Sequence, residues 1–131
     1  MVEYITIQQA PFIHDETLGR YGGLAGVRDF GLLSSALARP QAGFGDYEAY
    51  PDIFMKAAVL CHSLLKNHPF QDANKRTAVT SMGMFLESNG WVLVPARGEL
   101  QKLAIAVATD QLNEAGIAAW LRDNSHPNPN A

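Results

Sequence analysis

The chain has 131 residues, 47% of them apolar and 18% charged, with a formal net charge of −3, which fits one domain with a core of its own. The acidic balance excludes a nucleic-acid grip built on surplus Lys and Arg, and the single cysteine, Cys61, excludes a disulfide framework or a multi-cysteine zinc site. No apolar run approaches the roughly 18 residues of a membrane span, and Met1-Val2-Glu3-Tyr4 lacks the basic flank of a secretion signal, so a cytoplasmic protein without membrane contact is expected.

A first helix is expected from Gln8 to Gly19, with Pro11 in its first turn, stopping at the turn-forming run Gly19-Arg20-Tyr21-Gly22-Gly23. Asp29 reads as the N-cap of a short helix that shows Phe30, Leu33 and Leu37 on one face and is halted by Pro40. Gly43 to Tyr50 is aromatic and glycine-punctuated without helical period, hence a loop or small hairpin. Pro51 suits the first turn of the next helix, which carries Ile53, Ala57, Leu60 and Leu64 on one face and Phe54, Ala58, Cys61 and Leu65 on its neighbour. So wide an apolar stripe marks the central helix. After a loop from Asn67 to Asp72, a helix from Ala73 to Ser88 turns Ala78, Val79, Met82, Phe85 and Leu86 inward and ends at Asn89-Gly90. Trp91 to Val94 is the strong extended signal, and helices follow over Glu99 to Ala108 and Asn113 to Arg122. The fold class expected is all-α, one domain over residues 1–124 with at most a token hairpin, and residues 125–131 form a disordered tail.

No phosphate-binding glycine loop of the G-x-x-x-x-G-K-[ST] or G-x-G-x-x-G kind occurs. The chemistry concentrates instead in His68-Pro69-Phe70-Gln71-Asp72-Ala73-Asn74-Lys75-Arg76-Thr77. Lys75 and Arg76 fall in the first turn of a helix, where each cation costs a few tenths to about 1 kcal/mol against the helix dipole. With Asp72 counted as N-cap, its third following residue is Lys75 rather than Glu, so no capping box offsets that cost. An anion held by the helix N–H groups and both side chains makes the arrangement favourable. With His68 and Asp72 just upstream, a proton acceptor, a possible metal ligand and an anion cradle lie together, as phosphoryl-type transfer requires. The alternative is an ordinary solvated loop-to-helix junction. Phe70 reads as a core anchor in either case.

The same stretch resembles the signature of the Fic/Doc family, H-x-F-x-[D/E]-[A/G]-N-[G/K]-R. Tyr21-Gly22-Gly23-Leu24, Gly26-Val27-Arg28-Asp29, Leu37-Ala38-Arg39-Pro40-Gln41 and Tyr50-Pro51-Asp52-Ile53-Phe54 are similar to its Doc branch, and the likeness runs from Ile5 to Leu121. It implies a compact Fic/Doc-like helical bundle in which the segment from Gly43 to Tyr50 is a flap that aligns a target as an added strand. It also implies a transferase using ATP and Mg²⁺. In that pattern His68 is the general base, Asp72 holds Mg²⁺, and Ala73, Asn74, Lys75 and Arg76 bind phosphates, with Arg76 counted in the catalytic set.

AMP-transferring Fic proteins have Gly after the signature Asn and a second Arg three residues beyond the first. Here those places hold Lys75 and Val79, as on the Doc branch. The resemblance therefore implies a protein kinase that phosphorylates a threonine of elongation factor Tu and arrests translation. The inhibitory [S/T]-x-x-x-E-[G/N] motif of many Fic proteins has no counterpart in the sequence, and a Phd-type antitoxin whose disordered tail folds across the site is the implied restraint. AMP transfer to a protein hydroxyl and a non-catalytic Doc-like binding module are the alternatives. A metal phosphohydrolase needs more His and Asp ligands than gather here. His62 is assigned a buried structural role, His14 a solvated face beside Asp15 and Glu16, and Cys61 a place in the core.

Overall fold

The computed structural model describes residues 1–129. Helix α1 (Gln9–Tyr21) starts from a reciprocal cap one turn upstream. The Gln9 N–H donates to Thr6 Oγ1 at 3.1 Å, and the Thr6 N–H donates to Gln9 Oε1 at 2.9 Å. Helix α2 (Phe30–Ala38) is capped as expected, Asp29 Oδ1 accepting from the Leu32 N–H at 2.9 Å, and a 3₁₀ turn (Arg39–Gln41) follows it.

Strands β1 (Gly43–Phe44) and β2 (Tyr47–Glu48) form an antiparallel hairpin. Gly43 has φ +149°, and a Cβ there would lie 2.1 Å from the Tyr47 carbonyl oxygen, so only glycine fits. Lys56, 1% exposed, anchors the hairpin stem by donating from Nζ to the Pro40 carbonyl at 3.2 Å and to Glu48 Oε1 at 2.9 Å.

Helix α3 (Ile53–Asn67) is the hub, packed against α2, α4, α5 and α6. Its cap is Asp52, which accepts from the Met55 N–H at 3.0 Å, and Pro51 lies outside the helix rather than in its first turn. Both expected faces are buried, from Phe54 through Leu65, because Ala57, Ala58 and Cys61 let neighbours approach closely while the larger side chains fill the core. Each fully buried Leu or Phe contributes about 1.5–3 kcal/mol.

Helix α4 (Asn74–Ser88) lies along α3, and α5 (Glu99–Ala108) and α6 (Glu114–Asp123) complete the bundle, the last capped by Asn113. The fold is the expected compact helical one.

The C-terminal segment departs from expectation. Ser125–Pro127 is strand β4, paired antiparallel with β3 (Trp91–Leu93), and the N–H of Asn128 donates to the Gly90 carbonyl at 2.8 Å. Pro127 sits in a two-stranded edge pairing, where its missing N–H costs little. Residues 130 and 131 of the expected tail lie outside the described residues.

Candidate active site

The segment joining α3 to α4, with the first turn of α4, holds every site residue expected from the sequence. His68 caps α3 in the left-handed conformation, φ 48° and ψ 56°. Ala73, rather than Asp72, is the N-cap of α4, also left-handed at φ 61°. Two left-handed non-glycine residues five positions apart fold the segment tightly, at about 1–2 kcal/mol each.

Three devices hold it. Asn74 turns both polar atoms onto Phe70, Oδ1 accepting from its N–H and Nδ2 donating to its carbonyl, each at 3.0 Å. Buried Phe70 stacks on His14 of α1, and the His14 Nε2–H donates to the Asp72 carbonyl at 2.9 Å. The third is a strap made by the chain after α1. The Gln71 N–H donates to the Gly26 carbonyl, the N–H groups of Arg28 and Asp29 both donate to the Pro69 carbonyl, and Val27 bridges Phe70. Gly23, at φ +127°, passes so close that a Cβ would lie 2.9 Å from Asp72 Oδ2.

The electrostatics follow from these contacts. The Asp72 carboxylate is exposed and accepts from the Ala73 N–H at 2.8 Å and the Leu24 N–H at 3.3 Å. These two bonds, with Arg76 nearby, hold its carboxyl below the usual carboxylate range, so it is ionised at neutral pH. Helix α4 has no side-chain cap and no acidic residue in its first turn. Its first N–H groups have no carbonyl within the helix to bond, and they carry partial positive charge. Arg76 donates to the Gly22 carbonyl at 3.2 Å and lies over the Tyr21 ring at 5.1 Å. Among the described residues, the Lys75 ammonium and the His68 imidazole have no hydrogen-bond or ion-pair partner, and both residues are exposed.

A groove of about 430 Å³ opens beside the α4 N-terminus, with Tyr21, Lys75, Arg76, Val79, Leu100 and Ile105 in its wall. A second hollow, of about 300 Å³, shares Val79, Thr80 and Leu100 and extends along α4 to Met84 and Glu87. Val79 thus supplies apolar wall where an arginine would project a charge.

His68, Asp72, Ala73, Asn74, Lys75 and Arg76 fall on one loop and the helix start that follows it. The side chain of Asn74 and the N–H of Ala73 are engaged within the loop, which leaves Lys75, Arg76 and the main chain of the α4 first turn available to a ligand. Sequence reasoning misplaced His14, which is 1% exposed rather than on a solvated face, and overlooked Arg28. Only the likeness of Gly26-Val27-Arg28-Asp29 to the Doc branch pointed to that segment. His62 is half-buried, its Nε2 3.8 Å from Glu114 Oε1, and Cys61 is fully buried.

Among the described residues no three His, Cys, Asp or Glu side chains gather to hold a metal, and no helix is long and apolar enough to cross a membrane. The exposed, ionised Asp72 carboxylate is the group that would hold Mg²⁺, a cation that keeps most of its waters and takes one or two carboxylates plus substrate phosphates.

Comparison with known proteins identifies the family. The model of the Fic/DOC family matches residues 4–86. Protein kinase doc of Escherichia phage P1 is 36% identical over 121 residues, covering 92% of this chain and 94% of its own. Toxin Doc of Mycolicibacterium smegmatis is 50% identical over 70 residues, covering 53% of this chain and 54% of its own. The chain belongs to the Fic/Doc family, on its Doc branch.

Proposed function

We propose that this protein is a Doc-like toxin that transfers the γ-phosphate of ATP to a Ser or Thr hydroxyl of a protein target. The observation carrying this reading is the uncapped start of α4, where Arg76, the unpaired Lys75 and free main-chain N–H groups follow directly on the loop that bears ionised Asp72 and the unpartnered His68 imidazole. Phosphates of ATP sit on the first turn of α4, neutralised by Lys75 and Arg76. Asp72 holds Mg²⁺, which when bound offsets phosphate charge as it builds on the transferred group. His68 takes the proton of the target hydroxyl as its oxygen attacks the γ-phosphorus, the bridging bond to the β-phosphate breaks and ADP leaves. The names of the relatives, a protein kinase and a toxin, support this reading.

Lys75 and Val79 favour phosphate over AMP transfer. Lys75 adds bulk and charge where glycine would let the backbone wrap the α- and β-phosphates. Val79 leaves the groove without a second arginine for the distal phosphates. Elongation factor Tu is the target and the cytoplasm the setting that the family likeness favours. The groove along α4, cationic at Lys75 and apolar beyond, suits an acidic and apolar segment of a Phd-type antitoxin.

Incubation with elongation factor Tu and ATP labelled at either the α or the γ position tests this. Label from the γ position alone is expected; label from the α position alone gives AMP transfer, and none gives a different target or a binding module. Growth arrest that survives His68→Ala would remove catalysis as its cause.

A further inference from the structure

The ring of His68 has no hydrogen-bond partner among the described residues, so what aims it is the main chain that bears it. That main chain is left-handed, a conformation unfavourable for a residue with a Cβ. Arg28 spans the strained turn. Its Nε–H donates to the His68 carbonyl at 2.7 Å, its Nη2–H to the Asn67 carbonyl at 2.8 Å, and its main-chain N–H to the Pro69 carbonyl at 2.7 Å. One residue thus fixes three consecutive carbonyls, two of them through a rigid planar fork. The guanidinium also places a cation at the C-terminal end of α3, where the helix dipole is negative.

We infer that Arg28 is the positioning residue for His68, holding residues 67–69 so that the imidazole faces the α4 N-terminus. This rests on the proposed reading of His68 as the base. Without the fork, the turn relaxes toward ordinary right-handed or extended conformations, and the ring leaves the site for part of the time. Since Arg28 is exposed and distinct from the phosphate cradle, its loss touches the chemical step and leaves ATP binding in place.

The test compares the parent with Arg28→Ala and Arg28→Lys, using γ-labelled ATP and elongation factor Tu. In parallel, the Cα chemical shift of His68 is read in ¹³C-labelled protein as a report of main-chain conformation. Arg28→Ala is expected to lower kcat about 10- to 100-fold with KM for ATP changed less than about twofold, and to move the His68 shift away from its left-handed value. Arg28→Lys, whose single ammonium replaces one arm of the fork, is expected to recover part of both. An unchanged kcat overturns the inference, as does a fall in kcat with the His68 shift unmoved. If the parent transfers no phosphate to elongation factor Tu, either that target or the kinase reading falls, and the His68 shift alone decides whether Arg28 holds the turn. Should the alanine variant fold poorly, the lysine variant carries both measurements.

Discussion

The imidazole of His14 lies flat against the ring of Phe70, with centroids 4.0 Å apart and planes 6° from parallel. The same imidazole donates to the Asp72 carbonyl, so α1 grips the signature loop by a face and by an edge. Replacing His14 by Ala removes the stack and orphans the carbonyl, a loss of about 2 kcal/mol. His14→Phe keeps the stack alone and is expected to lie between parent and alanine variant in urea unfolding. An alanine variant as stable as the parent would show that this contact is idle.

Asn74 is expected to behave as a brace. Asn74→Ala frees the N–H and carbonyl of buried Phe70, at about 1–3 kcal/mol for each group left unsatisfied. Amide exchange at Phe70 and Gln71 should accelerate together with the loss of transfer activity. Slow exchange with lost activity would return Asn74 to phosphate binding.

Lys75 should behave in the opposite way. It has no partner among the described residues, so Lys75→Ala leaves the stability within about 0.5 kcal/mol of the parent's, read by urea unfolding. KM for ATP should rise about tenfold, the worth of one charge-assisted bond to phosphate. A KM that does not move would take Lys75 out of the cradle.

Stability should fall on acidification in two stages. Burial foremost holds the His62 imidazole below its ordinary 6.5, against the opposing pull of Glu114. The unfolded chain therefore binds that proton first, and stability declines as pH drops through 6.5 toward the lower folded value. Asp72, Asp110 and Glu114 are held low by hydrogen bonds, so their contributions are intact above the ordinary carboxylate range and vanish as pH falls through their lower folded values. Melting temperatures across about pH 2 to 8 should show both stages, and His62→Gln should erase only the upper one.

Cys61 is fully buried, and burial pushes its thiol up to about 12. The native protein is expected to resist thiol-specific reagents at pH 8 and to react fully in denaturant. Prompt labelling of the native chain would contradict the packing around α3.

Helix positions were legible because local rules set them. Asp29 caps where its side chain predicts, and α5 runs over the expected residues. What escaped depends on partners distant in sequence. His14 looks solvated beside Asp15 and Glu16, and only its apposition to Phe70 buries it. Ser125–Pro127 carries the composition of a frayed end, yet Trp91–Leu93 supplies a strand edge for it. Asp72 has the chemistry of an N-cap, but the left-handed turn at Ala73 gives that place away and redirects its carboxylate to Leu24 and Ala73. The signature names the residues of the site; the strap that shapes them is invisible in it.

The strap also bears on when the site comes into being. Arg28 and His68 stand 40 positions apart, whereas α3 and α4 are neighbours that can pair from local contacts. Closing so long a loop comes later and more slowly than local helix pairing. A chain with its central helices already packed but its strap still open owns every signature residue and lacks the turn that organises them. Competence therefore waits on that closure, and a molecule whose strap is unformed or cut carries the whole motif without the turn that organises it.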